Sequence, residues 1–484
     1  MESAIGKNAT SAGTPLAQFC ERFFPLIVIA LIGVATAVRI LVPLASPIFT
    51  KHDPISLLRS DPALIFYVTE RIVDAGGLPP ADFRADPRIE YPETTDIPAM
   101  FTVGQEFLVA WGYLLFGAGM PLHLFAFGFM SFIASLTVVG VAGLGRELTG
   151  SAAWGVAAGL LHVGTAGTYR TLGSILVRED LSFPLFALHL FLLARASRLK
   201  TPGAVVLAAA SAAAAIATWH AMAFIFTMEV ACIFLWHLRT GKNPMEDRAS
   251  GWFVAVLVLA ALVVPVLQSK LFVLSTPVQM MVAMLVVARL PRDFASSEFA
   301  RAGTSLGVFV AIALLFALVK SFVQDGADDY SHVLAMMLGK IQNLGQLPED
   351  PAALPFGARL IWNGIFETGS PVLIWNFLGP LALVVPVAIV AWVAPWWTGR
   401  GASNAAIAVA FGGGALVLAL LVSRLSALAA ILAPIPAVLL LIGKTSGGRR
   451  SGLIAALIVM QCSFAFVKVD NILLKRWYLS LIHI

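Results

Sequence analysis

Long apolar runs separated by short polar connections recur along nearly the whole chain. They fall at 24–46, 121–143, 150–169, 181–197, 203–219, 220–238, 251–268, 271–288, 304–322, 372–394, 404–423, 425–442 and 453–470. Crossing a bilayer takes roughly 20 apolar residues in a helix. The runs are continuous rather than alternating, so each predicts a helix and not a barrel strand. A further run, 98–120, carries Glu106 and several glycines and leads at once into the next span. The basic residues decide its placement, because short connections rich in Lys and Arg face the cytoplasm. Arg146, the group Arg195, Arg198 and Lys200, the group Arg239, Lys242 and Arg248, the group Arg289, Arg292 and Arg301, Arg400, and the group Lys444, Arg449 and Arg450 fall on one side if 98–120 does not cross. That run is therefore predicted to be a re-entrant or interfacial helix. The expected architecture is an all-α integral membrane protein, a single transmembrane domain over 1–484 with about 13 transmembrane helices. The N-terminus lies inside, and two long non-cytoplasmic loops lie at 48–120 and 323–370.

Composition removes the competing classes. The chain is 59% hydrophobic and 12% charged, against about 25% charged in soluble domains. Thirty-two basic against 27 acidic side chains leave only +5, a surplus that reports cytoplasmic connections rather than a nucleic-acid partner. Cys20, Cys232 and Cys462 are far apart, and the last two lie inside apolar runs; neither a disulfide framework nor a cysteine metal site is expected. The first run reads as a signal-anchor. Absence of an evident internal repeat argues against the rival reading, a lipid or solute transporter built from inverted halves.

The chemistry-bearing residues gather in the outside segments. Positions 50–97 hold nine acidic residues against five basic ones, and 323–370 adds Asp325, Asp328, Asp329, Glu349, Asp350 and Glu367. Loops this long in a tight bundle usually carry function. Three features stand out: Asp61-Pro62 through Thr69-Glu70, Arg170 to Arg178-Glu179-Asp180, and Gly364 to Glu367 before Ser370-Pro371. Each also has a plain explanation as a cap or an acid near a helix start, where the dipole favours negative charge.

Taken together they resemble the catalytic subunit of oligosaccharyltransferase, a member of the GT-C superfamily of membrane glycosyltransferases. Asp61-Pro62 through Thr69-Glu70 to Gly76 is similar to that family's DPWFNYRATEYLVxxG stretch, and Asp86-Pro87 with Tyr91-Pro92 to its WYP element. Arg146-Glu147-Leu148 resembles its REL turn. Tyr169-Arg170 followed by Glu179-Asp180 resembles its RSxxGxxDxE motif, with adjacent acids in place of D-x-E. Thr218-Trp219-His220-Ala221 resembles TWGG without its glycines, Gly364 to Glu367 resembles TIxE, and Arg424-Leu425 with Pro434 resembles the RF...P helix. The family's WWDYG acceptor-binding motif is absent; Trp396-Trp397 precedes Thr398-Gly399 in a predicted cytoplasmic connection. That motif sits in a soluble domain after the last span, where this chain stops, so the chain reads as truncated before that domain or as acting on a non-peptide acceptor.

The resemblance implies a metal-dependent inverting transferase moving a sugar or oligosaccharide from a polyprenyl phosphate or diphosphate to an acceptor, protein or else glycan or lipid, on the non-cytoplasmic face of a plasma or ER membrane. Asp61 with Glu179 or Asp180, completed by Glu367, would hold Mn2+ or Mg2+, hard cations that take carboxylate oxygens and neutralise a leaving phosphate. Arg424 would bind that phosphate, since a span-end arginine is costly unless paired. Arg170, Tyr91 and His332 are the remaining candidates for substrate contact. The glycines and prolines of 323–351 predict a mobile lid closing over the donor.

Overall fold

A computed structural model of the protein describes residues 15–45, 58, 61–89, 92–117, 119–240, 247–290, 297–323, 331–363, 366–397, 404–444 and 448–482. The described residues are helical apart from turns and one isolated antiparallel bridge, Asp86 to Thr95. Every predicted apolar window carries a helix. Among the described residues seven helices are long and apolar enough to cross a membrane, and the pair Pro371–Leu378 and Leu381–Pro395, bent by 98°, would make an eighth. The remaining windows hold shorter apolar helices, Ala152–Val163, Pro202–Thr218, Ser250–Val263, Thr276–Ala288 and Ala405–Leu421. The 98–120 run forms a Gly104–Phe116 helix of 13 residues. At 1.5 Å per residue it spans about 20 Å, short of a hydrocarbon core of about 30 Å.

The chain folds as two compact units. Unit I comprises Met1–Glu21, Leu148–Arg170 and Leu314–Ile472; unit II comprises Arg22–Glu147, Thr171–Ala313 and Leu473–Ile484.

In unit II the Glu179–Leu199 helix is the central element, packed along Pro202–Thr218 and against Leu122–Ser135. Small residues allow close approach, as they do between membrane helices where dispersion rather than water drives packing. Gly140 lies so near the Ala187 backbone that a Cβ would stand 2.3 Å from its carbonyl carbon. Glu179 and Asp180 open the central helix and Arg198 lies in its last turn, charges placed to suit the dipole. Lys200 ends it with φ 55°, and Pro202 starts the next helix. The described part of 48–120 is itself folded. Its Asp61–Asp74 helix ends at Gly76 and Gly77, with φ 68° and 87°, left-handed positions that glycine adopts without strain. Val68, Ile72, Phe83, Ile97 and Ala110 form the loop's own core.

In unit I the Ser423–Gly443 span is the most enclosed. The described part of 323–370 packs around Met336, Leu354, Ala358 and Trp362, with Val422. The glycines that predicted a mobile lid serve close contact in its described part. A Cβ on Gly339 would meet Leu354 at 2.9 Å, and one on Gly345 would meet Thr368 at 2.4 Å.

Candidate active site

Two clusters carry the predicted site residues, one in each unit. In unit II, Glu179 and Asp180 are 3% and 5% exposed, in keeping with their place at the foot of an apolar span. Asp180 accepts a hydrogen bond from the Thr171 hydroxyl at 2.6 Å. Arg39 of the first span donates to the same hydroxyl at 2.9 Å, and its guanidinium lies 3.5 Å from the Asp180 carboxylate. Both partners are buried, so the pair is strong electrostatically only because each end neutralises the other. Asp61 begins its helix and is half-buried. One turn on, Ile65 shares a core cluster with Ile175, Leu176 and Leu181, and this cluster sets the Asp61 helix beside the start of the Glu179–Leu199 helix. Glu106, fully buried in the Gly104–Phe116 helix, lies 3.0 Å from Arg178, which also donates to the Thr102 hydroxyl at 2.8 Å.

In the first outside loop Tyr67 donates to Asp86 at 2.6 Å. The Arg88 backbone and side chain donate to the other Asp86 oxygen at 2.8 and 3.2 Å. Burial alone would push Asp86 up, but the bonds from Tyr67 and then Arg88 outweigh it and hold the carboxyl below its ordinary range. Burial, then the bond to Asp86, pushes the Tyr67 phenol up to about 12. On the predicted cytoplasmic side, the Glu147 carboxylate of the REL-like turn meets Arg198 at 2.7 Å and Arg195 at 3.5 Å.

In unit I the Glu367 segment is laid against the Arg424 turn. The Ser423 amide donates to the Glu367 carbonyl at 2.7 Å. Gly369 approaches Ala419 so closely that a Cβ would stand 2.1 Å from its carbonyl oxygen. Glu367 is exposed, while Arg424 is 8% exposed at the entry of its span. His332 is half-buried and abuts Gly357. Arg170 follows the Ala166–Tyr169 turn and is half-exposed. Tyr91 lies outside the described residues.

Three residues with buried contacts carry no assigned role in the sequence reading. Arg39 was legible, as a lone arginine in the first apolar run, expensive there unless paired. Arg178 adjoins an acidic motif already singled out. Lys340 gave no signal: it looks like a solvated lysine, yet it is wholly buried. Its ammonium donates to the Phe366 carbonyl and, at 3.2 Å, to that of Leu421, and lies 5.5 Å from the Trp362 ring centroid. Burial pushes its pKa down to about 8, with Glu367 pulling the other way.

No group of three or more His, Cys, Asp or Glu side chains disposed to hold a metal ion occurs among the described residues. Asp180 moreover already faces a guanidinium. These residues do not by themselves complete a shell for Mn2+ or Mg2+.

A profile of the Dpy19 family, described as Q-cell neuroblast polarisation, matches residues 80–346, more than half of the chain. The chain belongs to the Dpy19 family. This is a GT-C-type glycosyltransferase family, so the superfamily seen in the motifs holds. No curated protein matches the chain. Among solved structures it is similar to an Archaeoglobus fulgidus oligosaccharyltransferase in its apo form, with TM-score 0.64 and 14% identity, covering 92% of this chain and 55% of the other. It is also similar to that enzyme tethered by a disulfide to an acceptor peptide containing the NVT sequon, with TM-score 0.56 and 13% identity, covering 94% and 56%. The chain thus has the oligosaccharyltransferase-type GT-C fold and spans little more than half the length of those neighbours.

Proposed function

We propose that this Dpy19-family chain transfers a sugar from a polyprenyl phosphate or diphosphate to a protein acceptor on the non-cytoplasmic face. The observation that carries the reading is the acidic pair Glu179-Asp180, buried where a span begins, with Asp180 fixed by Arg39 and Thr171 and with Ile65 of the Asp61 helix in one core cluster with Ile175, Leu176 and Leu181. Carboxylates are rarely left at such depth without a task. The resemblance assigns Asp61 with Glu179 or Asp180 to a divalent ion that neutralises the leaving phosphate; the same carboxylates would also serve the acceptor. Asp61 or Glu179 would orient and deprotonate the attacking group, since a positioned carboxylate can serve as general base. Asp180, already engaged by Arg39, would hold the start of its helix in place.

The donor's leaving group is an anion. Arg424, enclosed at a span end, suits charge-assisted hydrogen bonding to phosphate oxygens. Attack from the opposite side of the anomeric carbon inverts the configuration. Glu367, exposed on a segment bonded to the Arg424 turn, would orient the acceptor. A divalent ion held by Asp61 with Glu179 or Asp180 would supply further charge neutralisation when bound; the steps above rest on the chain's own groups. A protein acceptor is favoured because the solved neighbour was captured with a peptide. A glycan or lipid acceptor is the alternative.

The test is transfer in proteoliposomes. Labelled polyprenyl monophosphate and diphosphate sugars are offered with a peptide library in one arm and a glycolipid acceptor in the other. Asp61→Ala should lower turnover by roughly 10²–10³-fold, the scale on which a positioned catalytic group is lost, while donor binding stays near wild type. Unchanged turnover in Asp61→Ala removes its role. Label moving only to glycolipid refutes the protein acceptor.

A further inference from the structure

Lys340 spends a wholly buried ammonium on two backbone carbonyls, and both lie beside residues to which the reading above gives work. Phe366 immediately precedes Glu367, and Leu421 lies three residues before Arg424. The same two stretches meet again where the Ser423 amide bonds Glu367, where Gly369 closes on Ala419, and where the Thr368 hydroxyl donates to the Gly345 carbonyl at 3.0 Å, five residues from Lys340 along its own segment. Gly345 in turn donates its amide to the Lys340 carbonyl at 2.7 Å. Three pieces of chain therefore close into one knot with the ammonium at its centre. Packing alone does not ask for a charge there: burying an ammonium is costly, and well-packed apolar residues of similar volume often replace buried charges at little or no loss of stability. What an apolar side chain cannot do is fix the register of the irregular stretch at Phe366 against the end of the Asn404–Leu421 helix by donating to both.

We propose that Lys340 is a positioning residue for the transferase, the clamp that holds the Glu367 segment in register with the Arg424 turn. The proposal rests on the roles given to those two residues under the proposed function. Lys340 acts through main-chain carbonyls and touches no substrate. With Nζ removed, the carbonyls of Phe366 and Leu421 lose a shared donor, the two stretches slide, and Glu367 and Arg424 no longer keep a fixed spacing. Misplacement by about 1 Å of a group far from the chemistry can cost on the order of 10²-fold in rate.

Lys340→Met keeps the stem and removes the ammonium. The first readout needs no substrate. In a chain whose Cys20, Cys232 and Cys462 are replaced by serine, oxidative cross-linking of Glu367→Cys to Ser423→Cys reports register, and Lys340→Met should lower the yield several-fold. The second readout is kcat for sugar transfer with the native cysteines in place. Lys340→Met should lower it at least tenfold at matched folded fraction, and this loss should largely vanish in a Glu367→Gln background, because a clamp has nothing left to place. Wild-type cross-linking in Lys340→Met, or a loss of kcat that adds in full to that of Glu367→Gln, overturns the proposal. A fall in cross-linking together with no transfer by the wild-type chain leaves the clamp standing and sinks the transferase reading. Should Lys340→Met fail to accumulate, Lys340→Gln is read in the same two ways. Its amide reaches one carbonyl, so partial losses in both readouts are expected, and wild-type values in both overturn the proposal.

Discussion

Single charged residues inside this chain are tied to partners whose identity has consequences for stability. Arg39 and Asp180 are both buried and lie 3.5 Å apart. Removing one partner strands the other, which typically costs about 3–5 kcal/mol, whereas replacing both with apolar residues is often neutral. Arg39→Met and Asp180→Leu should each lower the melting temperature in detergent by several degrees, and the double variant should regain most of the loss; additive losses would show that the two do not form a pair. Tyr67 and Asp86 offer a milder case with a pH sign. The Asp86 carboxyl is held below its ordinary value, so folding gains from it above about pH 4 and loses that gain as pH falls through the depressed folded value. Tyr67→Phe removes one of the bonds responsible and should cost about 1 kcal/mol at pH 7. The gap between wild type and variant should close as the pH is taken toward 3, and a thermal-shift series over pH 3–7 measures it.

At the scale of elements, glycines that read as flexibility in sequence turn out to be points of contact. The second outside loop was expected to be loose because of Gly339 and Gly345, yet both are pressed against neighbouring side chains. Spacing cannot show this, since a glycine needed for a left-handed turn and one needed for close approach look identical in a single sequence. Gly369 is the severest instance, with no room for a Cβ beside the Ala419 carbonyl. Gly369→Ala should unseat the 366–370 stretch from 419–423, expose it to limited proteolysis and lower transfer at least tenfold; unchanged digestion would mean the contact yields easily. Helix positions were legible because continuous apolar runs have one solution in a bilayer. Glu106 and the glycines marked 98–120 as ambiguous and the basic connections placed it outside; the run carries a 13-residue helix, Gly104–Phe116. Lys340 was illegible for the opposite reason: a single lysine in the last turn of a short helix, Ser331–Gln342, carries no mark of burial.

For the whole molecule, the motifs in sequence led to the superfamily, and the family match and fold agree with them. Partnerships between distant residues, such as Thr102 with Arg178 or Gln461 with Thr165, have no trace in a single chain read alone. The Arg39 to Asp180 pairing bears on how the protein is made. Thr171, the residue that joins the two, lies 132 positions after Arg39. A ribosome adding about 5–20 residues per second reaches it roughly 7–26 s after Arg39 is synthesised. During that interval the first span has entered the membrane with its guanidinium and no countercharge. An arginine with no countercharge in a span reaches toward the headgroup layer. The Arg39 to Asp180 pairing therefore ties the final depth of the first span to the arrival of the Glu179–Leu199 helix, which brings the charge that offsets the guanidinium.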